Sequence, residues 1–138
     1  MKLRVALAQI NPTVGDLAGN AALIAKYTKE AHAASADVVV FPEMVLTGYP
    51  VEDLAMRASF RSASKNALAQ LVSTLEPSIV SVVGYLDESS DSATLGAPQN
   101  RVAIVHGSKV VATYTKRHLP NYGVFDEFRN FVRGIPPL

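Results

Sequence analysis

At 138 residues the chain has the length of one domain and can bury a hydrophobic core. Apolar residues make up 49% and charged residues 18%, with a net charge of +1, so the composition excludes a disordered chain and provides no basic surface for nucleic acid. Because the chain has no cysteine and only three scattered histidines, neither a disulfide nor a metal site is predicted. No apolar run approaches the ~20 residues that cross a membrane. We therefore expect a cytoplasmic protein with neither membrane nor nucleic-acid partners.

The first elements along the chain predict a strand, a helix and a second strand. Residues 3–10 form an apolar run that predicts a buried strand. Apolar residues then recur at helical spacing over 17–34, with Asp16 or Asn20 as the cap. Residues 37–41 are apolar and β-branched, which indicates another short strand. This order predicts a parallel βαβ unit.

The middle of the chain predicts a further helix and three more strands. An apolar stripe predicts a helix over 60–75, followed by a strand over 79–86. Residues 87–100 are polar and predict an exposed loop. Strands on both sides of Gly107-Ser108 then predict a hairpin over 102–114. The sum is an α/β fold whose sheet mixes parallel and antiparallel pairs.

The end of the chain carries three phenylalanines, Phe125, Phe128 and Phe131, at a spacing that predicts a packing stripe on a turn or short helix. After Gly134 no further strand or helix is predicted. We therefore expect a domain that is cut short.

Two charged residues stand where an apolar strand ends. Glu43 follows the strand over 37–41, and Lys116 follows the hairpin. Ligand sites of α/β proteins commonly lie at such strand ends. There a glutamate can act as a general base, and a lysine can stabilise an oxyanion or activate a nucleophile. Taken singly, each also fits a simpler role, Glu43 as a solvated loop carboxylate and Lys116 as an edge-strand lysine.

The segments around these two charges carry a family resemblance. They read Phe41-Pro42-Glu43 running to Thr47-Gly48-Tyr49-Pro50, and Leu119-Pro120-Asn121-Tyr122-Gly123-Val124-Phe125-Asp126-Glu127 after Thr115-Lys116. Together with residues 9–20 they resemble the carbon–nitrogen hydrolase (nitrilase) superfamily, and within it the glutaminase domains of glutamine-dependent NAD⁺ synthetases. The resemblance implies a nitrilase-like αββα sandwich. Residues 1–138 would be the N-terminal portion of this single domain, with a mixed sheet and helices on one face, and the synthetase domain would be absent.

The resemblance also implies roles for individual residues. Glu43 matches the general base and Lys116 the lysine that stabilises the oxyanion. Tyr122 matches a position that contacts glutamine, and Glu127 matches a second glutamate that orients the others. The nucleophilic cysteine would fall beyond Leu138, so we expect the isolated chain to be inactive.

The wider function follows from the same resemblance. Glutamine would be the substrate, and the released ammonia would serve the ATP-dependent amidation of nicotinic acid adenine dinucleotide. No cofactor is expected in this segment, whereas ATP and Mg²⁺ are implied for the absent synthetase domain. A homo-oligomer is also implied. Two alternatives stay open: another nitrilase-type amidase, against which the 119–127 segment argues, and a truncated, non-catalytic module that pairs with a full-length subunit.

Overall fold

The computed structural model describes residues 2–135, and its central feature is a five-stranded mixed sheet. The strands lie in the order β1-β2-β3-β4-β5; β1, β2 and β3 are parallel, whereas β3, β4 and β5 pair antiparallel. The predicted mixed α/β sheet is therefore confirmed. In chain order the elements are β1 (Val5–Leu7), α1 (Leu17–Ala33), β2 (Val38–Val40), a 3₁₀ helix (Glu52–Met56), α2 (Ala58–Val72), β3 (Val80–Glu88), β4 (Pro98–His106), β5 (Lys109–Thr115) and α3 (Glu127–Asn130).

Helices α1 and α2 cover one face of the sheet and form the main core with it. Ile24 of α1 and Leu68 of α2 belong to the same buried cluster as Val39, Val83 and Val105, which come from three different strands. Fully burying one such aliphatic side chain stabilises the fold by about 1.5–3 kcal/mol. No helix within residues 2–135 has the length and hydropathy that a membrane span requires.

The start of α1 is held by two polar residues with different tasks. Asp16 caps the helix, because its Oδ1 accepts a hydrogen bond from the backbone N–H of Gly19 at 2.9 Å. Asn20 is buried, and it donates from Nδ2 to the backbone oxygens of Thr13 at 2.8 Å and Leu46 at 3.1 Å. Asn20 therefore ties the loop before α1 to the loop after β2, and the cap is Asp16.

The first predicted strand is shorter and more exposed than expected. Only Val5–Leu7 pair with a neighbour, and the side chain of Leu7 is 72% exposed. The strand is exposed because β1 is the edge of the sheet and no described element covers the face that Leu3, Val5 and Leu7 share. The prediction of a buried strand over 3–10 was therefore wrong.

The predicted exposed loop over 87–100 was also wrong at both ends. Strand β3 continues to Glu88 and β4 begins at Pro98, so that only 89–97 connect them. Asp87 is buried, and the cost of burying its carboxylate is offset because Oδ2 accepts hydrogen bonds from Tyr85 Oη at 3.0 Å and Arg101 Nη1 at 2.7 Å. Polar residues thus extend this pair of strands because their side chains find partners.

The hairpin prediction is confirmed, since β4 and β5 are joined through Gly107 and Ser108. Both residues have positive φ, 58° and 57°, as a two-residue turn between twisted strands favours.

The predicted aromatic stripe at the end of the chain is only partly right. Phe131 is buried, but Phe125 and Phe128 are exposed. Helix α3 spans only four residues, which is too short for a stripe with a period of 3.6 to keep one face on the core. Phe128 instead lies under the Arg133 guanidinium, 4.7 Å from ring centroid to Cζ.

Candidate active site

Glu43 lies on a loop that is fixed to the sheet on both sides of the residue. The loop follows β2 and crosses β3 at Gly84, where the backbone oxygen of Gly84 accepts a hydrogen bond from Leu46 N–H at 3.1 Å. A Cβ atom on Gly84 would collide with the backbone nitrogen of Met44 and lie 3.2 Å from the carbonyl carbon of Glu43. Met44, Val45 and Leu46 are fully buried. The side chain of Glu43 therefore projects from a rigid backbone.

Lys116 is held through its backbone between two neighbouring segments. Its N–H donates to the Asn100 carbonyl oxygen at 2.9 Å, and its own carbonyl oxygen accepts from Gly134 N–H at 3.0 Å. A side chain at Gly134 would clash with Thr115, so the close approach of this residue to the end of β5 requires glycine there. The lysine side chain is thus delivered from a fixed point at the end of the strand.

The ammonium of Lys116 lies between two carboxylates. Its Nζ is 2.8 Å from Glu43 Oε1, and it is 3.0 Å from Oε1 and 2.9 Å from Oε2 of Glu127. Glu127 begins α3 and is only 3% exposed. Its Oε1 also accepts a hydrogen bond from Tyr49 Oη at 3.0 Å. One cation therefore joins a buried carboxylate to a half-exposed one.

Two pKa shifts reflect this arrangement. Burial lowers the pKa of Lys116, but the hydrogen bonds and charges of Glu43 and Glu127 outweigh burial, so that the pKa is raised above its usual value. Burial raises the pKa of Tyr49, and the adjacent Glu127 carboxylate raises it further. Lys116 is consequently a permanent cation and Tyr49 a permanent hydrogen-bond donor at neutral pH.

Asn100 is a site residue that the sequence analysis missed. Its side chain is 5% exposed, and Nδ2 donates a hydrogen bond of 2.5 Å to Glu43 Oε1. Sequence reasoning placed it in an exposed loop. One signal was available: Asn100 precedes Val102 and Ile104 at a spacing of two, which places the three residues on one face of a strand.

Tyr49 is the second missed contact. The sequence assigned it no contact of its own, whereas in the structure it donates a hydrogen bond to Glu127, 78 residues away in sequence. No local pattern could reveal this pairing.

A pocket of about 230 Å³ opens beside the two charged side chains. Its lining combines the Glu43 loop with β3, β4 and the end of β5: Phe41, Pro42, Glu43, Met44, Gly84, Asn100, Arg101, Val102, Tyr114 and Lys116. Glu43 and Lys116 belong to this lining, and Glu127 contacts Lys116 from outside it. Tyr122 is not in this lining; it is 72% exposed and packs edge-on against Phe125, with ring centroids 5.9 Å apart.

The protein-family comparison matches the carbon-nitrogen hydrolase family over residues 4–137. The chain belongs to the carbon–nitrogen hydrolase family. Both charged strand ends fall within the matched range, as do Asn100 and Glu127.

Relatives of the chain include the glutamine-dependent NAD(+) synthetase of Thermotoga maritima, which is 38% identical over 134 residues. The match covers 96% of the chain and 22% of that protein. The solved structure of glutamine-dependent NAD+ synthetase from Acinetobacter baumannii, in complex with ADP, superimposes with a TM-score of 0.87 at 35% identity, over 99% of the chain and 25% of that structure. The chain therefore spans about a quarter of the length of these relatives.

A more distant solved structure supports the fold alone. An amidase from Nesterenkonia sp. superimposes with a TM-score of 0.71 at 23% identity, over 98% of the chain and 49% of that structure. The predicted nitrilase-like fold and the resemblance to glutamine-dependent NAD⁺ synthetases are both confirmed.

The site contains a carboxylate and an ammonium, and the sequence has no thiol. Glu43 can accept or return a proton at the pocket, and the Lys116 ammonium can stabilise negative charge that develops on a carbonyl oxygen. Within residues 2–135 no group of three His, Cys, Asp or Glu side chains could hold a metal ion.

Proposed function

We propose that the chain is the N-terminal portion of the glutaminase domain of a glutamine-dependent NAD⁺ synthetase. The observation that carries the proposal is the Lys116 ammonium, which lies within 3.0 Å of both Glu43 and Glu127 beside an open pocket. The names of its relatives support glutamine as the substrate. Because the chain covers only about a quarter of their length, the nucleophile and the synthetase domain belong in this proposal to the rest of the protein.

The proposed reaction assigns each of these side chains a step. Glu43 takes the proton of a cysteine thiol supplied by the rest of the domain, and the thiolate attacks the side-chain amide carbon of glutamine. Lys116 stabilises the oxyanion that forms. Glu43 returns the proton to the departing ammonia and then activates a water molecule, which cleaves the thioester to glutamate.

Glu127 and Tyr49 act in this proposal as positioning residues. Glu127 holds Lys116 from the buried side, and Tyr49 holds Glu127. Tyr122 stays a predicted glutamine contact, and its exposed ring leaves surface available to a ligand.

The remaining features of the proposal come from the resemblance. ATP and Mg²⁺ would act in the synthetase domain, where the released ammonia would be used to amidate nicotinic acid adenine dinucleotide. A cytoplasmic location and a homo-oligomeric assembly also stay predictions.

Assays of the full-length protein, expressed from the gene that encodes this chain, test the proposal. We expect glutamate and ammonia to be released from glutamine in preference to asparagine and simple aliphatic amides. Hydrolysis of aliphatic amides without NAD⁺ formation would instead identify a different nitrilase-type amidase. A full-length protein without hydrolytic activity would favour the non-catalytic module.

The 138-residue chain provides the matched control. It contains Glu43 and Lys116 but no cysteine, so we expect it to release no ammonia from glutamine. Turnover by this chain alone would show that the nucleophile is not a cysteine outside it.

A further inference from the structure

The two oxygens of the Glu43 carboxylate are in different environments. Oε1 accepts hydrogen bonds from Asn100 Nδ2 at 2.5 Å and from Lys116 Nζ at 2.8 Å. Among residues 2–135 no donor makes a hydrogen bond to Oε2. Because the side chain is 45% exposed and lines the pocket, an incoming group can reach the oxygen that carries no hydrogen bond.

We propose that Asn100 is a positioning residue that, together with Lys116, holds Oε1 of Glu43 so that Oε2 is the oxygen that exchanges the proton. The inference deepens the proposed function and rests on it. In the reaction, the proton of the nucleophile moves to Oε2, the conjugate base attacks the amide carbon, and the same proton then leaves Oε2 for the departing amine.

The chemistry of the asparagine side chain suits this task. A carboxylate only accepts hydrogen bonds, so the amide NH₂ of Asn100 and not its oxygen must face Glu43. The amide is neutral and donates without adding a second cation beside Lys116. A carboxylate of the same size in its place would face Glu43 with like charge and no donor.

The position of Asn100 on β4 connects it to both charges. Its side chain contacts Glu43, and its backbone oxygen accepts the N–H of Lys116 at 2.9 Å. Asn100 is buried and paired with Leu86 of β3, so that its position is fixed by this strand on one side and by the bond to Lys116 on the other. Substitution of the side chain removes the contact to Glu43 but keeps the backbone bond to Lys116, which separates the two roles experimentally.

The test compares Asn100→Ala and Asn100→Asp with wild type in the full-length protein, under steady-state kinetics with glutamine. Since a misplacement of about 1 Å costs on the order of 100-fold in rate, we expect kcat to fall about 10- to 100-fold in Asn100→Ala, with KM within about threefold of wild type. Asn100→Asp keeps the volume of the side chain, and we expect its kcat to fall further. Gln99→Ala, next to Asn100 on the same strand but facing the opposite way, is the matched control and should retain wild-type kcat.

Two different readouts test this inference and the proposed function. Wild-type activity decides the proposed function, and the ratio of variant to wild type, measured on whichever amide wild type hydrolyses, decides the role of Asn100. A kcat of Asn100→Asp within threefold of wild type, or a raised KM with unchanged kcat, would overturn the positioning role. Failure of both variants to fold would show that Asn100 is purely structural and would overturn it too. A wild-type protein that hydrolyses no amide would overturn both proposals.

Discussion

Replacing Lys116 with methionine tests whether the ion-pair network supports the fold as well as the reaction. The substitution removes the only cation within 3.0 Å of Glu127 in the described residues, while Tyr49 continues to donate its hydrogen bond. Glu127 is 3% exposed and becomes an uncompensated buried charge, whereas Glu43 can turn to solvent. Leaving one member of a buried pair without its partner costs about 3–5 kcal/mol. Because the tyrosine bond is retained, we expect the lower end, about 3 kcal/mol.

Urea unfolding at pH 7, monitored by circular dichroism, measures the loss in the free energy of unfolding that Lys116→Met causes. The double variant Lys116→Met with Glu127→Gln should recover about 2 kcal/mol of it, since a neutral amide needs no cation. Lys26→Met is the matched control: its pair with Glu30 is exposed and 3.9 Å long, and its loss should cost about 0.5 kcal/mol or less. Equal effects of Lys116→Met and Lys26→Met, or no recovery in the double variant, would refute the reasoning.

Three further predictions concern the same region. Gly84→Ala should lower the free energy of unfolding by about 1–3 kcal/mol and reduce amide hydrolysis, because the added methyl group displaces the Met44 backbone beneath Glu43. Urea unfolding measures the first effect and steady-state kinetics the second. Unchanged values would contradict the close approach of the Met44 backbone to Gly84. Tyr49→Phe should lower the free energy of unfolding by about 1–2 kcal/mol in the same assay, since the buried Glu127 carboxylate loses its uncharged donor. An unchanged free energy of unfolding would show that the hydrogen bond is not made. The pKa of Lys116 is higher in the folded protein than its usual value of 10.5, so the stabilisation that Lys116 provides is complete below pH 10.5 and is lost as pH rises through the folded pKa. The difference in unfolding free energy between wild type and Lys116→Met should therefore shrink only above pH 10.5. A smaller difference already near neutral pH would contradict the raised pKa.

Periodicity and turn chemistry identified most of the fold because these signals are local. The helical spacing after Asp16, the β-branched run before Phe41 and the Gly107-Ser108 turn each correspond to an element in the structure. The exposure of β1 was not predictable in this way, because it depends on the place of the strand in the sheet. The extension of β3 through Asp87 depends on partners such as Arg101, which are distant in sequence.

The residues of the candidate site also differ in whether a local sequence signal identifies them. Glu43 and Lys116 stand at strand ends, where ligand sites commonly lie, but position left a simpler role open for each. Their catalytic roles, and Glu127 itself, came from the family resemblance. Asn100 and Tyr49 are connected to them by hydrogen bonds across 57 and 78 residues of sequence. Such contacts are determined by strand register and loop packing, which the local pattern of a sequence does not contain.

We propose above that Glu43 and Lys116 serve hydrolysis of glutamine, whose ammonia feeds the formation of NAD⁺. The most direct measurement is the rate of NAD⁺ formation by full-length Glu43→Gln, supplied in turn with glutamine and with ammonium chloride. We expect at least about a 100-fold loss of rate with glutamine, because the substitution removes the proposed general base, and a rate within about twofold of wild type with ammonium. Undiminished NAD⁺ formation from glutamine would contradict it.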